Sequence, residues 1–265
     1  MESLLEIRNL GITFEFNGQT VQAVRDSSFK INKGECLAIV GESGSGKSVT
    51  ALAIMRLIRS NSQLRITGSA TYEKKNLLNS DESSLQNIRG KKISMIFQEP
   101  MTSLNPLHNI EKQISECLIS DQKSNKTKCI ELLKEVGIEN PELRLSHFPH
   151  QLSGGQRQRV MIAMAIANNP DLLIADEPTT ALDVTIQKQI LDLLNNLRKK
   201  YKMSLLLITH DLGIVKKIAD RVCVMEKGKI VEQNATSKVF SQPKHSYTKK
   251  LISSKPREKE IKKKK

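Results

Sequence analysis

Polar and apolar residues alternate with a period of two over residues 4–10, 13–16 and 21–31, as half-buried strands require. Asn17 and Gly18, then Asn32, Lys33 and Gly34, interrupt the alternation with turn chemistry. A continuous apolar run at 36–40 predicts a strand buried on both faces, followed by a glycine-rich turn and a helix near 47–58. Alternation returns at 64–72 and 93–97. From about 109 to 168 the spacing becomes helical: Ile130, Leu132, Leu133 and Val136, then Val160, Met161, Met164 and Ile166. Pro100, Pro106, Pro141 and Pro149 break up this region. Beyond it, strands predicted at 172–176, 204–209, 222–225 and 229–232 are interleaved with helices at 186–199 and 212–219.

Strand–helix alternation of this kind predicts an α/β fold with a mainly parallel, doubly wound sheet. Antiparallel strands precede it and a helical lobe is inserted into it. The expected organisation is one domain over residues 1–253. Its core lobe spans about 1–98 and 168–240, its helical lobe about 99–167, and a short C-terminal helical segment 241–253. Residues 254–265 read as a disordered basic tail. No repeat at solenoid or propeller periods is visible.

Composition narrows the function classes. The 265 residues are 38% hydrophobic, enough for a sizeable core. No apolar run approaches the roughly 20 residues that cross a bilayer, and the first residues lack the basic-then-apolar pattern of a secretion signal. The cysteines, Cys36, Cys117, Cys129 and Cys223, show neither a CxxC pair nor metal-ligand spacing. Incidental thiols in a reducing cytoplasm fit that scatter. A net charge of +14 invites nucleic acid or anionic lipid as partners, but residues 255–265 alone contribute +5 of it. With aromatics at 3% and no Trp, stacking platforms for single-stranded nucleic acid are lacking. A solvated basic surface, with no nucleic-acid partner, is the simpler reading.

Three motifs carry chemistry. Gly41, Glu42, Ser43, Gly44, Ser45, Gly46, Lys47 and Ser48 match G-x-x-x-x-G-K-[ST] between an apolar strand and a helix. The glycines let backbone N–H groups curl around phosphates, Lys47 neutralises β/γ oxygens and Ser48 offers a hydroxyl to Mg²⁺. The bland alternative is a flexible Gly/Ser linker, yet the pattern arises by accident in only about one chain per hundred of this length. Asp176 and Glu177 end a second apolar strand. In phosphate-loop enzymes an acid there positions Mg²⁺, and a neighbouring acid can act as general base; alone, paired acids are more often a solvated loop, and the phosphate loop upstream reverses that balance. Ser153, Gly154, Gly155 and Gln156 open a helix, with Ser153 suited to its N-cap. That is either an ordinary capped helix or a second anion-shaped helix start.

The loop at 41–48, Gln98 after an apolar strand, Leu152 through Gln156, the Asp176–Glu177 pair, Ala181, Leu182 and Asp183, and His210 stand in the order found in the ATP-binding cassette (ABC) ATPases, which the chain resembles from about residue 4 to 252. The resemblance implies a P-loop ABC cassette that hydrolyses ATP with Mg²⁺ in a head-to-tail dimer. In that dimer ATP lies between the P-loop of one subunit and the signature, Ser153 to Gln156, of the other. It implies Glu177 as general base, His210 at the γ-phosphate, and Gln98 sensing Mg²⁺ and the lytic water beside the metal-binding Ser48 and Asp176. Asp183 would lie at the dimer seam and Phe14 would stack on adenine, with Phe16 close by and a plain core role as the alternatives for a strand Phe.

Three segments resemble the peptide/nickel importer subfamily: Gln98 to Pro106, Glu177 to Gln187, and His245, Ser246, Tyr247 and Thr248. The last departs from the subfamily's usual His-Pro-Tyr-Thr at Ser246. Members pair with a second cassette, identical or different, and with two membrane permease subunits served by an extracytoplasmic binding protein. The implied location is peripheral, on the cytoplasmic face of the membrane. Many peptide-importing members continue into a Cys-containing extension, whereas this sequence stops at Lys265 as shorter nickel and metallophore members do. Peptide import leads, with nickel or metallophore import as its alternative. An exporter ATPase, or a soluble ABC ATPase acting on DNA repair or translation, stands further off; the latter usually carries a coiled-coil insertion or two cassettes. The resemblance also places the helical lobe between Glu99 and Gln151 against a short helix of the membrane subunit, with residues 101–107 expected to couple ATP hydrolysis to transport.

Overall fold

A computed structural model describes residues 2–16, 18–58, 63–98, 103–119, 126–180 and 182–254. Two sheets organise it. The first is antiparallel, with β1 (Ser3–Phe16) between β2 (Gln19–Asn32) and β4 (Gln63–Tyr72), and the short β5 (Lys75–Asn76) at its edge. The second has six strands in the order β10 (Lys229–Ala235), β9 (Arg221–Glu226), β3 (Cys36–Val40), β8 (Ser204–Ile208), β7 (Leu172–Asp176) and β6 (Ile93–Ile96). All its pairings are parallel except the hairpin of β9 with β10.

The two segments expected at 4–10 and 13–16 form one strand, because a bulge resets the alternation. Leu5 and Ile7 point into the core, and past the irregularity Leu10 and Ile12 do so. Asn9 takes up the extra residue at φ 51°, and opposite it Asp26 does the same at φ 46°. The Asn9 amide donates to Asp26 Oδ1 at 2.7 Å. Asn and Asp tolerate the left-handed region better than most residues, so the bulge sits where its cost is low.

β3, β7 and β8 are buried along their whole length, and their side chains feed two cores. Leu37, Ile39, Leu172, Ile174, Leu206 and Ile208 face the antiparallel sheet and helix α1 (Lys47–Ile54). Cys36, Leu173, Ala175, Leu205 and Leu207 face the helical side. That side comprises α3 (Ile110–Cys117), α4 (Lys126–Glu135), α5 (Pro141–Arg144) and α6 (Gly154–Ile166), with α7 (Val184–Tyr201) following β7; α2 (Glu82–Gln86) precedes β6. Ala38 and Val40 pack instead with α8 (Leu212–Ile218), α9 (Thr236–Ser241) and α10 (Ser246–Ser253). Uninterrupted apolar strands fit a sheet covered on both faces.

Helix α1 stops four residues before the expected end at 58. Arg56 adopts φ 49° and Leu57 N–H reaches back to Leu52 O at 2.8 Å. Such a left-handed C-terminal closure usually employs Gly, and with Arg there the sequence carries no stop signal.

Candidate functional site

Parallel strands bring their C-terminal ends to one edge of a sheet. Here β3 runs into the loop at 41–48, β6 into Gln98, β7 into Asp176 and Glu177, and β8 into His210. Residues scattered over the sequence therefore meet at one edge.

The loop is held in a collar of backbone. A Cβ on Gly41 would collide with the Met225 carbonyl, and one on Gly46, at φ 102°, would come within 2.6 Å of the Ala23 carbonyl. Gly228 ties the parts together: its N–H donates to Ser45 O at 2.9 Å, and its carbonyl accepts from Arg25 N–H at 2.7 Å and Ser27 Oγ at 3.1 Å. Lys47 is buried, and its Nζ donates to Gly41 O at 3.0 Å and Glu42 O at 2.9 Å. Burial pushes its pKa down, against the opposing pull of the Glu177 and Asp176 charges.

Ser48 Oγ donates to Asp176 Oδ1 at 2.9 Å. Asp176 is buried, which pushes its carboxyl upward; the Ser48 hydrogen bond opposes that and the nearby Glu177 adds to it. A hydroxyl and a carboxylate at this distance form a hard-oxygen pair, the donor type that Mg²⁺ takes alongside phosphate oxygens and water. The residues present fit that ion.

Glu177 adopts φ 45°, a conformation rare outside glycine, with its N–H donating to Ile208 O at 2.9 Å. Its Oε2 is approached by Thr180 Oγ1 at 3.0 Å, Gln98 Nε2 at 3.3 Å and His210 Nδ1 at 3.3 Å. Gln98 and His210 are exposed, whereas the Glu177 side chain is only 14% exposed. A carboxylate with this many donors is oriented rather than free.

Ser153 caps α6 as its residue type suggests: its Oγ accepts from Gln156 N–H at 3.3 Å while Gln156 Oε1 accepts from Ser153 N–H at 3.0 Å. Gly154 is exposed and lies against Leu182, and Gly155 lies against Ile186. Asp183 caps α7, accepting from Ile186 N–H at 2.9 Å. The turn at 153–156 and Asp183 are thus neighbours. Among the described residues no hydrogen bond or ion pair links them to the loop at 41–48. Phe14 is half-buried, paired across strands with Val21 and Leu64, and packs on the core under the antiparallel sheet. Phe16's side chain and Ala181 lie outside the described residues.

Thr180 and Tyr247 both touch this site, and sequence reasoning singled out neither as a site residue. Tyr247 Oη accepts from Glu42 N–H at 3.0 Å. Both residues lie within segments whose signal is family likeness alone, and a hydroxyl has no periodic or motif signal of its own. The cysteines take no part: burial pushes the thiols of Cys36 and Cys223 up to about 12 and Cys117 up to about 11, which keeps them protonated and unreactive.

A strand-flanked phosphate loop beside paired acids on a doubly wound sheet defines a P-loop ATPase cassette. The chain belongs to the ABC transporter family, matched over residues 24–180, and is an ATPase of that family. It is 54% identical over 257 residues to the oligopeptide transport ATP-binding protein OppD of Bacillus subtilis, covering 96% of this chain and 72% of that protein. It is also 54% identical over 260 residues to the peptidoglycan transport ATP-binding protein YejF of Agrobacterium fabrum, spanning 97% of this chain but only 48% of that protein's length. Among solved structures it resembles the dimeric post-hydrolysis state of the ATP-binding cassette MJ0796 bound to ADP and Pi, with a TM-score of 0.75 at 28% identity, covering 88% of this chain and 98% of that one. Among the described residues, no helix is long and apolar enough to cross a membrane.

Proposed function

We propose that this chain is the ATP-hydrolysing subunit of a membrane importer, working as one half of a head-to-tail cassette dimer and carrying peptides as cargo. The observation that carries the proposal is that, among the described residues, no hydrogen bond or ion pair joins the turn at 153–156 to the loop at 41–48. The loop at 41–48 with Asp176, Glu177, Gln98 and His210 forms one group, and the turn at 153–156 with Asp183 forms another. A second cassette, identical or different, brings its 153–156 turn over the nucleotide held by this chain's loop. The OppD likeness at 54% identity supports the peptide assignment.

The roles follow from chemistry. Backbone N–H groups of residues 43–48 and the N-terminus of α1 hold the phosphates. Lys47 leaves the two carbonyls it now contacts and takes the β/γ oxygens, a move favoured because its charge is poorly solvated where it rests. Ser48 and Asp176 hold Mg²⁺ with Gln98 beside them, and the ion offsets phosphate charge when bound. Glu177 takes the proton of the attacking water, and His210 steadies the γ-phosphate. Phe14 supplies a ring for adenine. Loss of the γ-phosphate releases the grip of the opposing Ser153 turn, the dimer opens, and the helical side moves the membrane subunits. A groove of about 560 Å³ between β6 and the helical side, lined by Met95, Phe97, Ser103, Glu116, Ile119 and Met161, suits a helix from those subunits. The working location is the cytoplasmic face of the membrane, with a binding protein delivering cargo outside.

Reconstitution tests this reading: the chain, its companion cassette and two membrane subunits in proteoliposomes, with MgATP inside and binding protein outside. Uptake of oligopeptide coupled to ATP hydrolysis is the expected result. Uptake of a nickel complex in its place moves the cargo to the metal branch, and failure of the cassettes to associate with MgATP removes the dimer mechanism.

A further inference from the structure

The segment from His245 to Thr248 reaches the phosphate loop. Glu42 N–H donates to Tyr247 Oη at 3.0 Å. That N–H belongs to the same peptide group as the Gly41 carbonyl, which accepts from Lys47 Nζ at 3.0 Å. One peptide plane is therefore pinned at both ends, by a phenol oxygen on one side and an ammonium on the other.

The phenol is rigidly mounted. Tyr247 is 7% exposed, in a cluster with Val40, Leu212, Val215 and Val239. Its N–H donates to the capping His245 Nδ1 at 3.2 Å. Glu232, on β10, accepts from the N–H groups of Lys244 at 3.0 Å and His245 at 2.9 Å. The start of α10 is thus tied to the edge of the sheet, and Tyr247 carries that tie 205 positions back along the sequence to the loop.

We propose that Tyr247 is a positioning residue for the phosphate loop: its hydroxyl fixes the Gly41–Glu42 peptide plane and, through it, the resting place of the Lys47 ammonium. The proposal rests on residues 41–48 being the nucleotide site. An unpinned plane can rotate, which takes the Gly41 carbonyl away from Lys47 and leaves a partly buried N–H without an acceptor. The loop then divides its time between conformations, and apparent nucleotide affinity falls with the fraction that remains competent. Ser246, where the subfamily has Pro, lies in the first turn of α10 and leaves the contact intact.

The test compares MgATP affinity, by displacement of a fluorescent ATP analogue, and thermal unfolding for the full chain and three variants. Tyr247→Phe keeps the ring and removes only the acceptor. Leu251→Ala loosens α10 on the same cluster without touching the loop. Lys47→Ala reports whether the loop is the nucleotide site. Expected are an approximately three- to tenfold weaker affinity for Tyr247→Phe, unchanged affinity but a lower melting temperature for Leu251→Ala, and severe loss for Lys47→Ala. Unchanged or tighter binding by Tyr247→Phe while Lys47→Ala fails overturns the positioning role and leaves the nucleotide site standing. Equal weakening by Tyr247→Phe and Leu251→Ala overturns it too, since packing alone would then account for the effect. Undiminished binding by Lys47→Ala would remove the nucleotide site itself and the proposal with it.

Discussion

Ser48 Oγ donates a 2.9 Å hydrogen bond to Asp176 Oδ1, joining the first turn of α1 to the end of β7 across 128 positions of sequence. The pair sits in a dry place, with Asp176 only 4% exposed, so the chain keeps an ionisable oxygen where burial disfavours its charge. A bound cation would relieve that conflict.

Asp176→Asn should therefore stabilise the metal-free fold while abolishing hydrolysis. Burial raises the Asp176 pKa in the folded state, so its contribution to stability is present below the unfolded value, roughly pH 4, and is lost as pH rises through the folded value. The melting temperature of the variant should exceed the wild type's at pH 7 without Mg²⁺, and the gap should close towards pH 4. MgATP should stabilise the wild type and not the variant. Calorimetry across pH, with and without MgATP, checks both signs.

Glu177→Gln should bind MgATP and hold it. Removing a general base typically costs about 10²–10⁴ in rate, while the amide still accepts hydrogen bonds from Thr180 and Gln98. The expected outcome is a dimer that accumulates with MgATP on size-exclusion chromatography and turns over at under about one-hundredth of the normal rate. Turnover at the normal rate would move the base elsewhere.

Thr180 supplies the shortest of the contacts on Glu177 Oε2, at 3.0 Å. Thr180→Val should lower kcat about ten- to hundredfold, as loss of one hydrogen bond to a charged group predicts, with KM for ATP little changed. Thr180→Ser restores the hydroxyl and should restore kcat. Steady-state kinetics of the three proteins decide it.

Gly41→Ala should destabilise the fold by about 1–3 kcal/mol, the usual cost of forcing a methyl into filled space, because the new Cβ meets the Met225 carbonyl. Gly44, with open space around it, tests the difference: Gly44→Ala meets no atom, though its φ of 75° carries backbone strain. Urea denaturation should rank Gly41→Ala below Gly44→Ala in stability.

In the segment expected to meet the membrane subunit, Met101 and Thr102 lie outside the described residues, but the rest separates into two kinds. Leu104 is buried at 2% exposure and Leu107 stands out at 82%. Leu107→Asp should leave ATP affinity and melting temperature unchanged while reducing transport per ATP hydrolysed, measured in proteoliposomes. Leu104→Asp should instead lower the melting temperature, as a charge placed in a core does.

Much of this was written along the chain. The apolar runs of β3, β7 and β8 declared a sheet covered on both faces, and the glycines before Lys47 declared a phosphate loop, because strand, turn and helix start are consecutive and depend on neighbours a few residues away. Ser153's capping box with Gln156 is equally local. The single strand Ser3–Phe16 was not legible, since the bulge at Asn9 depends on what Asp26 does across the sheet. Nor was the early end of α1, where Arg56 takes a conformation that its residue type does not advertise.

The sequence by itself determined which candidate groups the motifs hold and in what order they come. Only the tertiary structure decided which of them meet: Ser48 with Asp176, Thr180, Gln98 and His210 on one oxygen of Glu177, and Tyr247 on the peptide that Lys47 also holds. The physical reason is range. Local backbone preferences act over a few residues, whereas these contacts close loops that only the strand order of the sheet and the packing on its faces bring within about 3 Å, the span of a hydrogen bond.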